Sequence, residues 1–250
     1  MQPRQNERYL RQIQVREFGQ SGQNAVRNAT FLVIGAGGLG CPALQTLAAS
    51  GAGTVIIVDS DTVEASNLSR QFLHSESRIG QNKALSAAAA LCAINPDIKA
   101  VPIPERVDDT NLPALVKSAD VVLDCCDNSS TRHAVNRACF KGRKPLVTAR
   151  CIRASGQISV FDFRMKDSPC YACNFPEDDT PDIKASDQGV MTFLTCTLGN
   201  LQAAEALKLA AGMASGLTGK VLLMDLLRDD FHIIALPRNP ECQVCSRKPA

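Results

Sequence analysis

FLVIGAGGLGCPALQTLAAS, residues 31–50, decides the fold. Four apolar residues run into G-x-G-x-x-G and then straight into a small-residue helical stretch, the strand–turn–helix context in which glycines let a backbone approach phosphate. Gly35, Gly37, Gly38 and Gly40 are the turn. Asp59 ends the next apolar run 19 residues after Gly40, close to the ~20-residue offset of a carboxylate that binds ribose. These residues alone admit either NAD or ATP.

Working outward, FLVIG (31–35), TVIIVD (54–59), IKAVPI (98–103), ADVVLD (119–124) and KPLVTA (144–149) read as short strands. Helical stretches 41–50, 82–93, 112–118 and 129–141 separate them. Apolar strands alternating with helices predict a parallel, Rossmann-like sheet covered on both faces. GQISVFDF (156–163), KVLLMDLL (220–227) and DFHIIAL (230–236) pair as hairpin strands and extend that sheet antiparallel. An N-terminal helical arm, broken near Gly19 and Gly22, precedes the sheet, and an apolar helix over 192–214 follows a polar loop at 175–189. The expectation is one α/β domain over 1–250: arm 1–29, nucleotide-binding half 30–150, and a second half 151–250.

The 250 residues carry 27 basic and 25 acidic side chains, no Trp and two Tyr. Neither nucleic acid nor an anionic membrane is indicated. The polar N-terminus and the absence of ~18 uncharged apolar residues in a row predict a cytoplasmic protein. Eleven cysteines, many in apolar runs, read as reduced thiols.

After the glycine turn come Asp61, then Asn67, Arg70 and Gln71 within SNLSRQ, and Lys83 at a helix start. Any one cation alone would read as a solvated charge. Together they suit a polyphosphate undergoing substitution, where charge is held at the reacting phosphorus and on the leaving pyrophosphate. Asp127, just beyond the strand ADVVLD, is placed either to hold Mg²⁺ or to cap the following helix, with Ser129 and Ser130 as competitors. Asp124 reads as structural.

The segments RYLRQ (8–12), GAGGLG (35–40), DSDTVEASNLSRQ (59–71), GQNK (80–83) and DCCDN (124–128), with paired C-x-x-C motifs, resemble the ThiF/MoeB/HesA family, relatives of the ubiquitin-activating enzymes. The resemblance implies ATP-dependent adenylylation of the C-terminal glycine of a small ubiquitin-fold sulfur carrier, ThiS-like or MoaD-like, for thiamine or molybdopterin synthesis. Asp59 would then bind ribose; Asn67, Arg70 and Lys83 the phosphates; Asp127 the magnesium. Arg11 would reach a neighbouring subunit's site, making a homodimer the active form. An inactive scaffold binding a ubiquitin-like partner is the alternative, and these intact residues weigh against it.

Cys170-x-x-Cys173 and Cys242-x-x-Cys245 supply four thiolates in two close pairs, the pattern of a structural Zn²⁺ site. The other seven cysteines, mostly among Ala, Leu and Val, read as small buried hydrophobes. Relatives that transfer sulfur often carry a cysteine shortly before GVM, where KASDQGVM (184–191) has none. No rhodanese segment follows Ala250, so sulfur is expected from a separate protein. The loop 175–189 reads either as the crossing point of the carrier tail or as a plain connection. Phe193, Leu194, Leu198 and Leu201 mark core or dimer interface.

Overall fold

The computed structural model of the protein describes residues 3–177 and 185–246. Its helices are α1 (Pro3–Ile13), α2 (Gly19–Asn28), α3 (Gly40–Ala49), α4 (Lys83–Ile94), α5 (Leu112–Ser118), α6 (Ser129–Gly142), α7 (Ala185–Gln188) and α8 (Thr192–Ala210). Its strands are β1 (Thr30–Ile34), β2 (Thr54–Val58), β3 (Lys99–Ile103), β4 (Val121–Asp124), β5 (Leu146–Ile152), β6 (Ser155–Phe161), β7 (Lys220–Asp225) and β8 (Asp230–Ala235). They form one sheet in the order β3-β2-β1-β4-β5-β6-β7-β8. The first five are parallel and the last three antiparallel, as the sequence predicts.

Alternation along β1 shows why both faces are covered. Phe31 and Val33 join a core with Leu44, Leu91, Leu194 and Leu198 from α3, α4 and α8. Leu32 and Ile34 point the other way, into a core with Leu112, Val116, Val135 and Tyr171. Leu194 and Leu198 are therefore core, whereas Phe193 is exposed. β8 is exposed along its whole length, with Phe231, Ile233 and Ile234 uncovered at the sheet edge.

Three local expectations are corrected. The arm breaks at residues 14–18, and Gly22 sits inside α2, where the Phe18 ring fills the space a side chain would need. The helix at 192 ends at Ala210, four residues early, with Gly212 in a positive-φ turn behind it. Cys92 is exposed, and Cys126, Cys151 and Cys196 are only half-buried. Position 92 faces outward on an Ala-rich helix whose apolar composition hides which side is buried. The loop at 175–189 falls partly, at 178–184, outside the described residues.

The arm is fastened by Tyr9. Tyr9 is buried, its hydroxyl accepts from Asn95 Nδ2 at 2.8 Å, and its ring lies over Gly51, whose φ of +82° and lack of a side chain admit it. Arg8 donates to the Ile94 carbonyl at the end of α4.

Behind the central turns lies a buried ion pair. Asp124 Oδ2 accepts from Arg132 Nε at 3.0 Å and from Thr148 Oγ1 at 2.7 Å, and both charged residues are sequestered from solvent. Arg132 Nη2 also donates to the carbonyls of Cys126 and Ala149, tying α6 to the ends of β4 and β5. Arg132→Met, which strands the Asp124 carboxylate, is expected to cost about 3–5 kcal/mol, measured by urea unfolding.

Candidate nucleotide site

β1 lies between β2 and β4, so successive connections leave it in opposite directions and open a crevice beyond the strand ends. A cavity of about 800 Å³ occupies it, of the size that takes a cofactor. The cavity is lined by Gly35, Gly37, Gly38, Asp59, Asp61, Asn67, Arg70, Gln71, Lys83 and Asp127. Residues spread over more than ninety positions of sequence are thereby brought together.

The glycines divide into two kinds. Gly35, at φ +97°, would place a Cβ 2.7 Å from the Cys125 carbonyl oxygen, and a Cβ on Gly40 would lie 2.0 Å from that of Gly35. These two allow the turn after β1 to fold against its own start and against the turn after β4. Gly40 does not line the cavity; it begins α3. Gly37, by contrast, would meet nothing nearer than 3.7 Å, so its bareness serves whatever enters the cavity.

Asp59 accepts from the backbone N–H groups of Ala36 (2.7 Å) and Asp61 (2.8 Å), which aim it across the turn. Burial nevertheless pushes its carboxyl above the usual carboxylate value, against those two donors and the Lys83 charge. Lys83 is 8% exposed and pairs with Asp61 at 3.0 Å. Asn82 caps α4 ahead of it, its side chain accepting from Leu85 N and donating to the Asp59 and Asp61 carbonyls. Arg70 is held by the Ser66 carbonyl at 3.0 Å. Asn67 is buried, accepting from Glu64 N in the same turn. Gln71 is 4% exposed, and its Oε1 has no partner among the described residues. An orphaned buried amide oxygen beside a glycine that faces open space fits a polar ligand in the cavity.

The two readings of Asp127 separate here. Asn128 is the N-cap of α6, accepting from Thr131 N at 2.9 Å. Asp127 is exposed at the cavity wall, free of the capping role. Asp124 is structural, as described above.

Arg11 lies outside the cavity of its own chain. It is exposed on α1 and donates to Gln14 Oε1 at 3.3 Å.

Several wall residues carry no motif. Arg150 enters because β5 runs on to Ile152, beyond the predicted Ala149. Thr195 arrives from α8, its Cγ2 close behind Gly38. Arg132 reaches the wall from the first turn of α6. Cys125, Cys126 and Cys151 also line the wall, but burial drives the first two thiols well above their ordinary value and Cys151 up to about 11. They stay protonated at neutral pH and are poor nucleophiles.

Below the far face, Cys170, Cys173, Cys242 and Cys245 bring their four Sγ atoms within 4.8 Å of one another. Cys170 Sγ is 3.9 Å from Cys173 Sγ and 3.6 Å from Cys242 Sγ, and Cys173 Sγ is 3.3 Å from Cys245 Sγ. A disulfide needs about 2.05 Å. Tetrahedral thiolates on one zinc lie about 3.8 Å apart, so the donor set fits that ion.

The ThiF family model matches residues 9–244. The chain belongs to the ThiF family. It is 42% identical over 240 residues to the molybdopterin-synthase adenylyltransferase of Escherichia coli K12, covering 96% of each. It is 44% identical over 245 residues to the Bos taurus adenylyltransferase and sulfurtransferase MOCS3, covering 97% of this chain and 53% of that one. The chain thus spans about half the length of its MOCS3 relatives. In fold it is similar to E. coli MccB crystallised with MccA-N7isoASN, at a TM-score of 0.84 and 23% identity over 97% of this chain and 75% of that one.

The two kinds of glycine in this family turn are separable by experiment. Gly40→Ala is expected to cost roughly 1–3 kcal/mol by forcing the backbone apart. Gly37→Ala is expected to leave stability within ~0.5 kcal/mol while weakening nucleotide binding; denaturation and calorimetric titration read the two effects.

Proposed function

We propose that this chain transfers the adenylyl group of MgATP to the C-terminal carboxylate of a MoaD-like, ubiquitin-fold sulfur carrier in molybdopterin synthesis. The observation that carries this is the convergence of Asp59, Asn67, Arg70, Gln71, Lys83 and Asp127 on one cavity at the reversal of the sheet. A redox dinucleotide does not need Arg70 and Lys83 gathered with an exposed carboxylate, Asp127, beside its phosphates. The name of the Escherichia coli relative, a molybdopterin-synthase adenylyltransferase, favours molybdopterin over thiamine.

In this reading the whole chain acts as one adenylation domain. Asp59 accepts hydrogen bonds from ribose, and Gly37 and Gly38 let the triphosphate approach the backbone. Arg70 and Lys83 hold its oxygens, Lys83 exchanging part of its bond to Asp61 for phosphate. A carrier carboxylate is ionised at neutral pH, since a chain terminus titrates near 3.3–3.7. It attacks the α-phosphorus without a general base: one P–O bond forms, the bond to the β-phosphate oxygen breaks, and pyrophosphate leaves with the electron pair. What the residues supply is alignment of two anions and relief of their repulsion. Asp127 would hold the magnesium, which when bound supplies further neutralisation of the phosphates.

Arg11 acts in the cavity of a second copy. Its arm is pinned at Tyr9 but leaves the guanidinium exposed and away from its own cavity. Sulfur comes from a separate donor, a reading supported by the absence of a cysteine from KASDQGVM, residues 184–191. Zinc sits at the four clustered cysteines in a structural role, since four thiolates leave no open position. It ties the C-terminal segment to the turn after β6.

Arg11→Ala and Asp127→Ala are each expected to lower carrier-dependent exchange of pyrophosphate into ATP by at least ~10²-fold with the fold intact by circular dichroism. Undiminished exchange in both would sink the assignment. MoaD-like and ThiS-like carriers, assayed side by side, test the pathway.

For the metal, elemental analysis is expected to find one zinc per chain. Chelation should lower the melting temperature by roughly 5–10 °C, as a loss of about 3 kcal/mol does in a domain of this size. Metal-free protein with unchanged melting would contradict it.

A further inference from the structure

His74 has no part in the chemistry above, yet it is 6% exposed and directly behind the glycine turn. Its Nε2 lies 2.9 Å from the Ala36 carbonyl oxygen, and its Nδ1 lies 2.9 Å from Ser86 Oγ on α4. A carbonyl only accepts, so Nε2 carries the proton and donates to Ala36, while Nδ1 accepts from the serine hydroxyl. Burial holds the imidazole below its usual titration range, opposed by its bond to the Ala36 carbonyl and by Asp59 and assisted by the nearby Lys83 and Arg78 charges. In the neutral ring that these surroundings favour, the Ala36 carbonyl selects the tautomer with the proton on Nε2.

Ala36 is therefore gripped at both of its flanking peptide groups, the one with Gly35 through its N–H and the one with Gly37 through its carbonyl. Its N–H donates to Asp59 Oδ2 at 2.7 Å, and its carbonyl accepts from His74 and from Cys41 Sγ at 3.3 Å. The next residues, Gly37 and Gly38, line the cavity. The Ala36 carbonyl and the Gly37 N–H belong to one planar peptide group, so the hold on that carbonyl sets the direction of the Gly37 N–H, and neither Gly37 nor Gly38 has a side chain to fix its own backbone.

We infer that His74 is a positioning residue for nucleotide binding: through Ala36 it sets the orientation of the glycine-turn amides that receive the ATP phosphates. This rests on the nucleotide reading proposed above and adds to it a residue that touches neither ATP nor carrier. Ser86, which holds the other ring nitrogen, belongs to the same device.

The test is titration of the full-length protein with MgATP by calorimetry, together with steady-state exchange kinetics. In His74→Leu, ATP affinity is expected to fall at least tenfold and KM for ATP to rise in step, while kcat at saturating ATP and KM for the carrier stay within threefold of wild type. His74→Gln, whose amide restores a donor to Ala36, is expected to recover affinity to within threefold of wild type. A merely structural role would lower stability without this split and this rescue. Should His74→Leu fail to fold, Ser86→Ala takes its place, with a threefold or greater loss of ATP affinity expected and wild-type affinity counting against the device. A wild-type protein that does not bind ATP overturns the nucleotide reading and this inference with it. A wild type that binds, beside a folded His74→Leu that binds equally well, overturns this inference alone.

Discussion

The contact between two strand-end turns governs the rest of the structure. β1 hydrogen-bonds to β2 on one side and β4 on the other, so the backbone leaving β1 must press against the backbone leaving β4. Gly35 makes that approach possible, since any side chain there would strike the Cys125 carbonyl. From this contact follow the crevice beyond the strand ends and the adjacency of a glycine turn to Asp127. The direction of α3, whose first turn begins where Gly40 folds back over Gly35, follows as well.

The crevice is then built as a balanced electrostatic site. Lys83 is buried but compensated by Asp61, Asp59 spends its lone pairs on two backbone amides, and Arg70 is tethered to a carbonyl. Each charge is held in place before any ligand arrives, which lowers the reorganisation required at the moment of reaction. The deeper Asp124–Arg132 pair does for the β4 turn what His74 and Asp59 do for the β1 turn. Polar groups hidden behind the wall hold the backbone that the wall presents.

Much of this was legible in the chain. β-branched runs gave every strand to within a few residues, because a parallel sheet buried on both faces demands continuous apolar stretches. The glycine pattern, the spacing to Asp59 and the cations that follow marked the cavity, since those residues have no comparable use in a core. Less legible was the arm, where a run of polar residues offered no apolar period to locate its break. The end of β5 was also obscure: Arg150 and Cys151 continue the strand because β6 returns alongside them, a long-range pairing that local propensity does not encode. Exposure of Cys92 was hidden for a related reason, as an alanine-rich helix looks apolar on every side.

The sequence by itself determined the strand–turn–helix order, the carboxylate Asp59 and the cations Arg70 and Lys83 that come to line the cavity, and the four paired thiols, each by residue type and spacing along the chain. Only the tertiary structure decided that Asn128 rather than Asp127 caps α6, which glycines serve packing and which face the cavity, and that a buried histidine grips the turn from behind. Those distinctions depend on which atoms meet across the sheet. A one-dimensional pattern records the identity of a residue, whereas its role is set by neighbours that folding brings from tens of positions away.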